Sequence, residues 1–95
     1  MDAFDAPILT DEITVDHTGI DIEWNLDVHE YESFAFHNIG KKDIEIILVP
    51  NEQVIKVISG MIITVEQNTV QKVTIRARNE DETSKVFYAF QGWTL

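Results

Sequence analysis

Three histidines, His17, His29 and His37, stand among seventeen carboxylates, the residue types that ligate zinc or move protons at neutral pH. A zinc site is written in short ligand spacings on one element. Here His17 sits beside a turn, while His29 and His37 fall in different strands or at their ends, so surface and turn roles are expected. A nucleophile would have to be Ser33, Ser59 or Ser84, since cysteine is absent. None lies in a Gly-x-Ser-x-Gly elbow, and Ser59-Gly60 and Ser84 read as turn residues. Paired carboxylates could act on glycosides, but so small a chain is not expected to hold a deep cleft. Four scattered glycines each suit a turn, and none builds a phosphate loop. Asp11, Glu12, Asp16 and Asp21 flank one strand and could gather around calcium. They lack the Asp-rich, glycine-containing loop of such sites, and a solvated acidic face accounts for them. No catalytic residue, cofactor or metal is therefore expected.

Aromatic side chains offer one ligand candidate. A carbohydrate-binding surface would expose a planar row of Trp and Tyr. Trp24 instead shares an alternating face with Ile20, Ile22 and Leu26, and Tyr88 with Val86 and Phe90, which is core patterning. Trp93, beyond Gly92 near the end of the chain, is the aromatic residue left for recognition.

Charge is the more informative signal. The net charge of −10 repels phosphate, which argues against nucleic acid or an anionic membrane as partner. Residues 1–40 hold ten acids and no Lys or Arg, whereas residues 41–95 hold seven of each sign. Strand alternation places Asp21, Glu23 and Asp27 on one face, away from Trp24. It places Lys72, Arg76 and Arg78 with Thr74 on the face opposite Val73, Ile75 and Ala77. If these acidic and basic stripes lie on neighbouring strands, they form cross-strand pairs within the chain. If they lie on different surfaces, they suit a head-to-tail contact between copies, and association is expected to involve these stripes.

The elements that must position these groups are strands. Apolar residues recur with a period of two almost throughout, and β-branched residues dominate. Alternating segments cover 13–15, 20–26, a stretch around Phe34 and Phe36, 43–49, 54–58, 61–65, 70–77 and 85–90. Turn signals at 17–19, 38–42, 50–52, 59–60, 66–69 and 79–84 separate them. Eight short strands at this spacing indicate an all-β, single-domain antiparallel two-sheet sandwich. Residues 1–10 are expected as an arm or edge segment and 11–95 as the sandwich. Phe34-Ala35-Phe36-His37-Asn38-Ile39-Gly40 leading into Ile44, Ile46 and Leu48 resembles immunoglobulin-like sandwiches. So does the run from Ile63 to Thr69 before Val73-Thr74-Ile75. Eight strands suit a jelly roll equally well.

Several strands are apolar on both faces. Ile44, Ile46 and Leu48 point one way while Ile47 and Val49 point the other, and 86–90 repeats the surplus. A two-layer sandwich covers one face of each sheet, so the second needs a lid or a partner. The first residues lack the basic and apolar regions of a signal peptide, and the longest apolar run is too short to cross a bilayer. A soluble protein made in the cytoplasm is expected, without membrane insertion. The expected function is non-catalytic: a structural or interaction protein that self-assembles through sheet faces into a homo-oligomer or larger assembly, such as a virion or bacterial surface component. The alternatives are an acidic inhibitor that imitates nucleic acid, or a small carbohydrate- or calcium-binding module.

Overall fold

The computed structural model describes residues 9–95, and most of the expected arm lies outside them. Eight strands follow in order: β1 (Leu9–Val15), β2 (Ile20–Glu23), β3 (His29–Asn38), β4 (Ile44–Val49), β5 (Gln53–Val57), β6 (Ile62–Glu66), β7 (Lys72–Ala77) and β8 (Ser84–Thr94). They form two four-stranded antiparallel sheets, A in the order β1-β8-β3-β6 and B in the order β2-β7-β4-β5. The pairings β1·β8, β2·β7, β3·β6 and β4·β5 are nested like one long hairpin. Rolling that hairpin so that β3 meets β8 and β4 meets β7 produces the two sheets. This is the jelly roll. In the immunoglobulin arrangement the first two strands pair, whereas here β1 pairs with the last strand.

Alternation fills the space between the sheets. Phe34, Phe36, Phe90, Ile44, Ile46, Leu48, Val73 and Ile75 are fully buried. Phe90 is the hub, with its ring 4.9 Å from those of Phe34 and Tyr88 and 5.9 Å from that of Trp24. On β3 the buried Tyr31 and Phe34 are three residues apart, which strict alternation forbids. A bulge between Tyr31 and Ser33 inserts Glu32 and resets the phase. Gly92 makes that bulge possible, because a Cβ there would overlap the Glu30 carbonyl oxygen of the crossing backbone.

One buried polar knot ties the other end together. Asn38 ends β3 at zero exposure. Its amide donates to the carbonyls of Lys42 (2.7 Å) and Val57 (3.0 Å). Its Oδ1 accepts from the Ser84 hydroxyl (2.9 Å) and the Gly40 N–H (3.2 Å). The sequence reads this position as the start of a turn. It is in fact the point where β3, β5, β8 and the β3–β4 loop are joined.

Three strand boundaries move by three residues or more from expectation. The strand beginning at Ile20 stops at Glu23 and does not reach Asp27. Asn25 breaks it: its side chain accepts the Asp27 N–H and its carbonyl accepts those of Val28 and His29, turning the chain toward sheet A. Leu26 is consequently exposed, Ile20 is exposed at the start of the edge strand β2, and Trp24 remains packed on the core. β8 continues past Phe90 to Thr94 because β3 pairs with it as far as His29. Leu9 and Thr10, expected in the arm, are paired in β1.

Candidate interaction surfaces

The residues singled out for their charge gather on the outer face of sheet B. Asp21 and Glu23 on β2 stand opposite Thr74 and Lys72 on β7. The Thr74 hydroxyl donates to Asp21 Oδ1 at 2.7 Å, and Lys72 Nζ lies 3.6 Å from Asp21 Oδ2. Arg76 approaches Glu45 on β4 through Nε and a terminal guanidinium nitrogen, both at 3.0 Å. Lys56 on β5 pairs with Asp43 at 3.6 Å. The acidic and basic stripes are therefore neighbours in one sheet and engage each other within the chain. Such half-exposed pairs contribute about 0.2–1 kcal/mol each. Asp27 lies beyond β2 in the turn and Arg78 beyond β7, both exposed. Toward β4 and β5 the face becomes apolar, with Ile47 and Val49 half-buried and Val54 exposed.

The outer face of sheet A has the opposite character. On β8 the outward residues are Lys85, Phe87, Ala89, Gln91 and Trp93, alternating with buried neighbours. The strand registers align Glu12, Phe87, His37 and Ile62 in one row across the sheet, and Thr10, Ala89, Ala35 and Thr64 in the next. Phe87 is 43% and Ile62 65% exposed. Between them the small side chains leave an apolar hollow of about 200 Å³ lined by Ala35, Phe36, His37, Ile62 and Phe87. Trp93 is half-buried on the same strand, opposite Glu30. Its membership of this face was hidden in the sequence by Gly92, which reads as a strand terminator.

The groups considered for chemistry are dispersed. His17 Nδ1 lies 3.1 Å from the Ala77 carbonyl oxygen, which can only accept. His29 stacks on Tyr31 with centroids 5.8 Å apart, and His37 lies on the outer face of sheet A. Ser59 donates to the Gly40 carbonyl and Ser84 to Asn38. Among the carboxylates considered for calcium, Asp16 accepts the N–H groups of Thr18 and Gly19, Asp11 accepts that of Glu12, and Asp21 holds Thr74. No group of three His, Asp or Glu among the described residues is placed to hold a metal ion. Among the described residues, Trp24 Nε1 and His29 Nδ1 are enclosed and meet no hydrogen-bond partner.

Three ionisations are displaced by their surroundings, one of them the Tyr31 phenol, which burial raises. A hydrogen bond to Glu32, desolvation and the like charge of Glu32 hold the Glu30 carboxyl above its usual 4.5. Burial, with Asp11 opposite it, raises the Tyr88 phenol. Among the described residues no helix is long and apolar enough to cross a membrane. No protein-family model matches the chain, and no curated protein matches its sequence.

Proposed function

We propose that this jelly roll is a non-catalytic assembly module whose copies associate through the outer face of sheet A. The observation that carries the reading is the apolar hollow between the exposed Phe87 and Ile62. Exposed aromatic and aliphatic groups around small residues are the composition of an interface centre. The charge layout supports a second copy as the occupant. A chain of net charge −10 repels itself through any acidic surface. Phe87, Ala89, Ala35 and Ile62 carry no charge, and Glu12 and Lys85 flank Phe87 with opposite signs. Jelly rolls serve as viral capsid and lectin domains, so a place in a virion or surface assembly is an analogy from fold alone.

Light scattering across a concentration series tests the reading. The mean mass should rise above that of one 10.9 kDa chain as concentration increases. It should persist at high salt, because apolar contacts are not screened, and fall in Phe87→Lys without loss of the far-UV spectrum. A wild-type protein that stays monomeric throughout would refute it.

A further inference from the structure

A sandwich of two open sheets has four edge strands, here β1 and β6 in sheet A and β2 and β5 in sheet B. An edge presents unpaired backbone groups that template pairing with another chain, and proteins blunt them with inward charges, shortness or lysine. Three edges carry such a device. On β1 Asp11 lies opposite the buried Tyr88, so a charge sits on the inward side of the strand. β2 is four residues long and carries Asp21 and Glu23. β5 carries Lys56.

β6 has none of these. Ile62-Ile63-Thr64-Val65 is uncharged and β-branched throughout, and Glu66 comes only at its end. It pairs with β3 in unbroken register, and no described residue pairs with its other side. The backbone directions follow from two hydrogen bonds. The Asn38 N–H donates to Met61 O and the Gln67 N–H to Glu32 O, each at 3.0 Å. Antiparallel pairing alternates direction at each residue, so 61, 63, 65 and 67 face β3. Ile62, Thr64 and Glu66 therefore turn their N–H and C=O groups to the free edge.

We infer that β6 pairs antiparallel with β6 of a second copy about a two-fold axis at Thr64, joining two copies of sheet A into one continuous eight-stranded sheet. This register pairs Thr64 with Thr64 and Ile62 with Glu66 in both directions. Every outward N–H and C=O of the three residues then meets a partner, giving six backbone hydrogen bonds. Glu66 faces isoleucine and not another glutamate, whereas a parallel, in-register pairing would set the two glutamates side by side. Ile63 lies beside Val65 on the inward face, where each is half-buried in the single chain. The occupant is a second copy because the segment is complementary to itself, as an isologous contact requires. The inference rests on the self-assembly reading and adds the contact that the apolar face alone does not specify.

The chain contains no cysteine, so single-cysteine variants report the register directly. A hydrogen-bonded antiparallel pair holds its Cα atoms about 5.5 Å apart, within disulfide reach. Thr64→Cys should form a covalent dimer on mild oxidation. Ile62→Cys should not, since its own copy stands roughly 13 Å away along the strand. Combining Ile62→Cys with Glu66→Cys should restore linkage. Ile62→Lys, at a position that is already exposed, should raise the dimer dissociation constant at least about tenfold while the circular dichroism stays native. Phe87→Lys should leave the Thr64→Cys link intact. If wild type associates but neither Thr64→Cys nor the combined Ile62→Cys and Glu66→Cys variant links, the edge contact is wrong; loss of mass in Phe87→Lys would then still sustain the face contact. A wild type monomeric at every concentration overturns both.

Discussion

The two outer faces of the sandwich each carry charged and apolar residues, yet they end in different states. On sheet B, β2 and β7 are neighbours, so Asp21 meets Lys72 and Thr74, and Arg76 meets Glu45. Asp21, Lys72, Arg76 and Glu45 are matched inside the chain. On sheet A, the row through Phe87, His37 and Ile62 has small neighbours and no cover among the described residues. Topology settles part of this difference: the nested hairpin decides which stripes become neighbours. A charged stripe visible in sequence is thus poor evidence for an intermolecular contact until its cross-strand partners are known.

The largest expected effects lie beneath both faces and set the scale for the rest. Phe90→Ala, at the aromatic hub, should cost about 3–5 kcal/mol, enough to abolish the cooperative thermal transition of so small a domain. Asn38→Ala should cost on the order of 3 kcal/mol, because it removes from a buried site the donor to the Lys42 and Val57 carbonyls and the acceptor of the Ser84 hydroxyl. Chemical denaturation measures both, and a loss under about 1 kcal/mol in the second would show that water replaces the knot.

Smaller effects separate the faces. Asp21→Ala and Lys72→Ala in a double-mutant cycle should give a coupling of about 0.2–1 kcal/mol and leave the association state unchanged. Smaller still is the Glu30 effect, whose sign follows from linkage. A carboxyl raised above 4.5 in the folded protein binds its proton more tightly there than in the unfolded chain. Stability is therefore complete below that pH and is lost as pH rises through the folded value. Glu30→Gln should raise the melting temperature slightly at pH 7 and match wild type below pH 4.

The strand count, the two-sheet class and the inward set of β4, β7 and β8 were legible because period-two alternation is local. The nested pairing was not, since nothing in Ile13-Thr14-Val15 specifies β8 rather than β2 as its neighbour. The bulge at Glu32 was equally invisible: it depends on Gly92, a residue on another strand. Asn38 looked like a turn residue because Asn-Ile-Gly has turn chemistry, and its burial depends on Ser84 and Val57 closing over it. For the candidate surface, the apolar surplus at 86–90 was visible, and so were the two charged stripes. That the stripes satisfy each other while Phe87 stays open required the register.

The most direct test is a side-by-side sedimentation measurement of wild type, Phe87→Lys, and Arg76→Glu combined with Arg78→Glu, at matched concentration and at low and high salt. Phe87→Lys should sediment as a smaller species than wild type. The double arginine variant should keep the wild-type mass, with only a modest loss of stability from the broken Glu45 pair. A double arginine variant that falls to monomer while Phe87→Lys keeps the wild-type mass would place the contact on the charged stripes of sheet B and contradict the account.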